Sequence, residues 1–392
     1  MMLKRRVWVE VDLGKLRKNY ARIAAAVKPA QVLCVMKANA YGLGVEPYAA
    51  ALASTDCAGF GVAEPFEALQ LAELLAAPAS KHSNIQTFKQ TFKHSRKPIQ
   101  ILSSILPDEI EPMVEAGVTL PVIDVSTAKL INAAAKKLKT TAKVHFKLDT
   151  GMGRLGILAT DAPRVIREVK RLSNLDCEGI FSHCPMAYDP SNTFTEDQID
   201  LFEAILKDVA KSGITFKVVH IAASDAINNF PRAARPPFTQ VRTGINLHGS
   251  FDPNGKRVLK VDSVLTLKTR VAQVRELPAG TTLGYGRTWC LNKSTRVATI
   301  SAGYADGLPL ALTNRGHVLI KGVPCPVIGR ISMDYTTVDV SRVPDVAPGD
   351  EVVCLGRSGK FQVTPDDWAA LKGTHAYEII CSFGNRVERV YV

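Results

Sequence analysis

The apolar run QVLCVM, residues 31–36, leads directly into KANAYGLG, residues 37–44. A short apolar run closed by a glycine-containing turn fits a strand buried on both faces. The same unit recurs along the chain as AGFGVA (58–63), IQILSS (99–104), LPVID (120–124), KVHFKLD (143–149), EGIFSHC (178–184), KVVHIAA (217–223) and TQVRTGI (239–245). Helical patterns alternate with these strands over 14–27, 65–75, 127–138, 161–172 and 196–211, with Asp12 and Thr195 as N-cap candidates. Eight strand–helix units over roughly 250 residues predict a (β/α)₈ barrel of the TIM type, here spanning 12–250. In such a barrel Lys37 stands at the mouth, where the strands end and catalytic groups gather.

After Phe251 the pattern changes. Segments such as RVLKVDSVLTLKTRVAQVREL, TRVATISAG, YTTVDV and GDEVVCLG alternate with period two between Gly, Pro and Asp. They predict a mainly β-strand domain over 251–392. The N-terminal strand, residues 6–11, has no partner in the barrel series and is expected to pair with that domain.

Bulk composition narrows the function classes. The 392 residues are 46% hydrophobic and 22% charged, ordinary for a folded globular protein with a sizeable core. The eight cysteines form no CxxC pair, so neither a disulfide framework nor a metal site is expected. No uninterrupted apolar stretch is long enough for a membrane span, and the basic N-terminus lacks the apolar core of a leader, so a cytoplasmic protein is expected. The net charge of +12 invites a nucleic-acid partner. No recognition motif accompanies it, and an anionic small substrate or cofactor is the simpler account. The basic segment 80–97 reads as a surface insertion; Phe88 and Phe92 within it keep a phosphate-rich partner open.

A lysine at a buried strand end loses solvation, which lowers its pKa and makes its amine nucleophilic toward an aldehyde. By itself Lys37 also fits a snorkelling surface lysine. Other positions carry the same ambiguity. Ser224 fits a helix N-cap or a phosphate ligand, which share one geometry. Arg242 fits a structural ion pair, His183 an ordinary buried or surface histidine, Met333 plain core and Lys147 an inward lysine paired with a carboxylate.

VMKANAYGLG (35–44) resembles the cofactor-lysine signature of alanine racemases. KLDTGMGRLG (147–156), VRTGI (241–245), GYGRTW (284–289), GYADGLP (303–309), GRISMD (329–334) and HAYEI (375–379) resemble later motifs of the same family, in order. The resemblance covers nearly the whole chain. It implies pyridoxal 5'-phosphate as cofactor, tethered to Lys37, with its phosphate held by Tyr41, Ser224, Tyr377 and the Gly244–Ile245 backbone. It implies Arg242 on the pyridine nitrogen, where a group that only donates leaves that nitrogen as acceptor and limits side reactions.

For the reaction, the resemblance implies two bases, Lys37 on the D-face of the substrate and Tyr285 on the L-face. His183, grouped with the cofactor contacts, and Arg154 would make proton transfer from a phenol of pKa about 10 accessible. Arg154 and the Met333 N–H would hold the substrate carboxylate, Tyr304 would narrow the entrance, and Lys147 matches a lysine carbamylated in many members. Tyr285 lies in the β-domain and Lys37 in the barrel, so the resemblance implies a head-to-tail homodimer with shared sites. D-alanine for peptidoglycan is the expected product.

The chain departs from the pattern at Leu43, Ala223 and CPMAYDP (184–190), where His, Asn and an apolar-small run are usual. Competing readings are a broader racemase, a decarboxylase of the same architecture and a non-catalytic carrier of the same cofactor. Arg242 and Tyr285 argue against the decarboxylase, and the final third of the chain argues against the carrier.

Overall fold

A computed structural model describes residues 5–76, 97–252 and 254–392. The basic insertion therefore lies outside the described residues, apart from Lys97, whose Nζ donates to the Thr55 and Cys57 carbonyls at 2.8 Å each.

The chain opens with β1 (Trp8–Val11) and then builds the barrel from β2 (Gln31–Val35), β3 (Gly59–Val62), β4 (Ile99–Ile101), β5 (Leu120–Val122) and β6 (Ala142–Asp149). The two-residue β7 (Ile157–Leu158) sits beside β6, followed by β8 (Leu175–Phe181), β9 (Val218–His220) and β10 (Gln240–Thr243). Parallel pairing runs β10-β2-β3-β4 and β5-β6-β8-β9. The two arcs join through a parallel bridge between Gln100 and Thr119, and through Thr239 N–H to the Val219 carbonyl (2.9 Å) and Arg242 N–H to that of Ala222 (3.0 Å). Among the described residues the eight main barrel strands thus form a closed ring.

Helix Leu13–Val27 shows why the sequence folds this way locally. Its apolar residues Leu13, Leu16, Tyr20, Ile23 and Val27 fall on one buried stripe, and the Asp12 carboxylate accepts from Lys15 N–H at 2.8 Å as N-cap. Asn19 interrupts the stripe and is fully buried. Its amide donates to the Leu247 (3.0 Å) and Asp262 (2.8 Å) carbonyls and accepts from Asp262 N–H (2.9 Å), tying the helix to the chain leaving the barrel.

Thr195 is not a cap. The helix begins two residues earlier than expected, as Phe194–Ala210, and Asn192 Oδ1 accepts from Phe194 N–H at 2.8 Å, satisfying that free donor. Thr195 is fully buried, with no hydrogen-bond partner for its hydroxyl among the described residues.

Beyond the barrel come β11 (Leu265–Leu277), β12 (Thr282–Leu283), β13 (Trp289–Cys290), β14 (Thr295–Ile300), β15 (His317–Ile320), β16 (Val323–Pro326), β17 (Thr336–Asp339), β18 (Glu351–Ser358), β19 (Phe361–Val363) and β20 (Glu388–Tyr391). The main sheet runs β16-β15-β18-β11-β1-β20, with β14 and β17 continuing from the far end of β11. β1 pairs antiparallel with β11 and parallel with β20, so the first strand of the chain sits inside the last domain's sheet. Helices Pro365–Lys372 and Ala376–Cys381 lead back to the barrel mouth, where Tyr377 lies. The (β/α)₈ barrel with a following, mainly β-strand domain is the architecture the alternating patterns predicted.

Candidate active site

A cavity of about 830 Å³ opens at the ends of the barrel strands. Lys37 enters it from the end of β2, where the next four residues, Ala38, Asn39, Ala40 and Tyr41, all have φ between 52° and 58°. A left-handed turn of ordinary residues costs roughly 1–2 kcal/mol per residue and needs outside support. The Glu67 carboxylate accepts from Ala38 N–H, and Asn39 Oδ1 accepts from Val45 N–H at 2.8 Å. From the β-domain, Arg389 Nε donates to the Gly42 carbonyl (2.9 Å) and the Tyr391 hydroxyl to that of Leu43 (3.1 Å). The segment that aims Lys37 is therefore braced by the other end of the chain. Burial, followed by the charge of Arg154, holds the Lys37 amine below its usual pKa.

Lys147 projects from β6 into the same cavity, and burial with the charges of Arg242, Arg154 and Lys37 brings it down to about 8. Its Nζ donates to the Leu102 carbonyl and lies 5.2 Å from the centre of the Phe181 ring. Arg154, on the loop after β6, lines the cavity with an exposed side chain. His183 follows β8; burial and the Arg242 charge push it down to about 3, so its ring is neutral.

Arg242, on β10, is buried, and no ion pair with a carboxylate is found for it among the described residues. One terminal nitrogen, Nη1, donates to His220 Nδ1 at 2.7 Å. The other, Nη2, donates to the Ser182 (2.7 Å) and Ile221 (3.0 Å) carbonyls and lies 3.4 Å from His183 Nδ1. Its Nε makes none of these bonds.

Across the cavity, Gly244 N–H donates to Ser224 Oγ at 3.2 Å, and Tyr41 and Tyr377 bring their rings within 6.1 Å of each other. A Cβ on residue 244 would come within 2.0 Å of the Tyr41 hydroxyl, so only glycine leaves the phenol beside that backbone. Ile245 is fully buried directly behind Gly244 and does not line the cavity. Hydroxyls beside the Gly244 backbone, a group of cations with no carboxylate ion pair found among the described residues, and an amine made nucleophilic by burial fit a phosphate-bearing aldehyde cofactor.

Tyr285, Tyr304 and Met333 do not line this cavity. They are exposed on the β-domain, with Tyr285 at 74%. Tyr285 tops the turn between β12 and β13, where Gly284 and Gly286 have φ of 71° and 73°. The Gly284 Cα packs so close that a Cβ would meet the Arg330 backbone at 2.6 Å. Tyr304 N–H donates to the Ser332 carbonyl (3.0 Å) and Ala305 N–H to that of Met333 (3.1 Å), so the three motifs share one surface. Arg386 underpins it, pairing with Asp306 at 2.7 Å and Asp334 at 2.6 Å.

Sequence reasoning missed Glu67, Phe181 and Asp225. Asp225 adjoins Ser224 in the cavity wall, where burial and the charge of Asp252 raise its carboxyl to about 6. Its position directly after a candidate phosphate ligand was a usable signal; Glu67 reads locally as a helix-start acceptor for the Ala63 and Glu64 N–H groups, and its bond to Ala38 N–H, like the ring contacts of Phe181, is distant in sequence. Among the described residues no cluster suited to a metal ion occurs, and no helix is long and apolar enough to cross a membrane.

A family model for the alanine racemase N-terminal domain matches residues 11–252, and one for the C-terminal domain matches 264–391. An alanine racemase of Halothermothrix orenii is 34% identical, across 99% of this chain and 97% of its own. Another, of Symbiobacterium thermophilum, is 35% identical across 99% and 97%. The crystal structure of alanine racemase from Streptomyces lavendulae superposes with a TM-score of 0.88 at 31% identity, covering 100% of this chain and 98% of that one. That of the Bartonella henselae enzyme, described with covalently bound pyridoxal phosphate, gives 0.84 at 28%, covering 99% and 100%. Two domain models in sequence order, full-length relatives and a cavity whose chemistry suits the cofactor agree: the chain belongs to the alanine racemase family of pyridoxal-phosphate-dependent isomerases.

Proposed function

We propose that this chain interconverts L- and D-alanine with two bases, Lys37 and Tyr285, in a site completed by a second copy of the chain. The observation carrying this reading is the juxtaposition of a depressed Lys37 amine with Arg242, a buried guanidinium that has no carboxylate partner among the described residues. Bound in the cavity, pyridoxal phosphate supplies an electron sink for the pair left on the substrate Cα when its proton departs.

Ser224, Tyr41, Tyr377 and Gly244, which line the cavity, would hold the phosphate end, with the backbone N–H of buried Ile245 behind them. Arg242, which can only donate, fixes the ring end and restrains the sink. Arg154 binds the substrate carboxylate, with the Met333 N–H of the second copy. Lys37 Nζ, its pKa lowered by burial and neighbouring cations, takes or returns the Cα proton on the D-face. Tyr285 of the second copy does the same on the L-face, with Arg154 and neutral His183 supporting the phenolate. Tyr304 narrows the entrance, and Lys147, brought to about 8, has the free-amine character that carbamylation requires.

The exposure of Tyr285, Tyr304 and Met333 on one surface supports the shared site, since three motif side chains left in solvent need a partner to do this work. We take residues 12–250 as the cofactor-binding domain and 251–392, with strand 6–11, as the domain that carries the second base. A homodimer acting in the cytoplasm, without nucleic acid or membrane, and supplying D-alanine for peptidoglycan completes the reading. The test incubates purified protein loaded with pyridoxal phosphate with L-alanine and follows optical rotation. Decay to zero is expected, and persistent rotation would refute the proposal.

A further inference from the structure

Arg242 carries a buried positive charge, yet the nearest carboxylate on its hydrogen-bonded side is three residues removed. Its Nη1 donates to His220 Nδ1 at 2.7 Å, and His220 Nε2 lies 3.5 Å from His145 Nδ1. His145 Nε2 in turn faces Glu178 Oε2 at 3.9 Å, long for a direct hydrogen bond but close for a charge.

The protonation pattern follows from one end. A guanidinium has no acceptor, so His220 Nδ1 must accept and the ring proton must sit on Nε2. That proton points at His145 Nδ1, which must then accept, leaving the His145 proton on Nε2 toward Glu178. Burial holds both imidazoles below their ordinary pKa, with the Arg242 charge adding to it at His220. The remaining charged neighbours are Lys143 and Lys217 about Glu178, Asp176 about His145 and Lys147 about His220.

The packing holds the two rings in place. The β6–β8 register shifts between Val144 and His145, and a Cβ on Gly179 would lie 2.7 Å from the His145 ring. Phe181 stacks on His220 at 4.9 Å with the planes 6° apart, and the two histidines meet edge to face at 5.7 Å. This arrangement occupies space that a simple apolar layer would fill, and through His220 it reaches Arg242.

We infer that Glu178 and His145 are positioning residues, which act through His220 to fix the orientation of Arg242 and the strength with which it donates into the cavity. Each acceptor in the row is strengthened by the negative charge behind it. Nη1 is thereby committed to His220, leaving Nε as the guanidinium nitrogen outside these bonds. The inference rests on the proposed role of Arg242 toward the cofactor ring.

The first test is ¹⁵N-imidazole spectroscopy of the cofactor-loaded protein, with His145→Gln and His220→Asn used for assignment. Both rings should be neutral with the proton on Nε2 from about pH 6 to 9; a proton on Nδ1 of either overturns the inference. The second combines Glu178→Gln and His220→Asn, reading the visible absorption maximum of the bound cofactor together with kcat and KM for alanine. Each single change should shift the band and lower kcat about tenfold with KM nearly constant, and the double variant should be no worse than His220→Asn. Additive losses, or an unshifted band in Glu178→Gln, overturn it. The wild-type spectrum needs no variant to fold, and wild-type protein that failed to racemise alanine would sink the proposed function while leaving the proton pattern intact.

Discussion

The Tyr41 hydroxyl occupies the space in which a side chain on residue 244 would begin, 2.0 Å from an ideal Cβ. Gly244 follows β10 and Tyr41 lies on the turn after β2, and these strands pair in parallel with Thr243 opposite Cys34, which brings the two residues to the same end of the barrel. Gly244→Ala should force Tyr41 off its position at about 1–3 kcal/mol and lower cofactor affinity by roughly tenfold or more. Fluorescence titration of the cofactor-free protein with pyridoxal phosphate measures this; unchanged affinity would remove Gly244 and Tyr41 from the phosphate end.

Tyr285→Phe separates chemistry from folding. The ring is largely solvent-exposed and none of the hydrogen bonds found among the described residues involves its hydroxyl, so the melting temperature should not move beyond about 1 °C. Racemisation should fall by about 10²–10⁴ with cofactor retained. Full activity in both directions would refute the two-base assignment.

Lys147 gives a pH signature. Its folded pKa of about 8 lies below the free value near 10.4, so between these pH values the unfolded chain binds more protons and stability rises with pH. Lys147→Met removes this slope. Urea unfolding should therefore show the variant's advantage over wild type to be greatest below pH 8 and to shrink toward pH 10; a constant difference contradicts the depressed pKa.

Asp225 behaves oppositely. Its carboxyl is raised to about 6, so between the free value near 3.9 and pH 6 the folded chain binds more protons and stability falls as pH rises. Asp225→Asn should be the more stable form above pH 6 and converge on wild type below pH 4. It should also bind pyridoxal phosphate more tightly at pH 8, since a carboxylate beside the phosphate end is removed. Calorimetry across pH, with and without cofactor, reads both effects.

Asn19→Ala leaves the Leu247 and Asp262 backbone groups without their partner. A loss of about 2–4 kcal/mol in unfolding free energy is expected, because buried polar groups are then unpaired. A loss below about 0.5 kcal/mol would show that this junction contributes little.

The chain's local chemistry made the barrel legible. QVLCVM, KVHFKLD and TQVRTGI each hold enough apolar residues, between turn signals, to specify a buried strand without reference to anything distant. Alternation from Leu265 onward marked the β-domain in the same way. The helix start near Thr195 was misread because Asn192, Thr193 and Thr195 all offer capping oxygens, and only the folded backbone selects the one that reaches Phe194 N–H.

By itself the sequence pointed to the residues proposed to carry the chemistry, since Lys37, Arg242 and Tyr285 sit in motifs that resemble those of the family. Tertiary structure decided how those residues are held. The left-handed turn behind Lys37 depends on Glu67, Arg389 and Tyr391, and Arg242 depends on two histidines from other strands. The lowered pKa values of the two cavity lysines likewise arise from burial and from charges brought together through space. Such effects depend on distance in the fold, so linear order does not encode them in any local pattern.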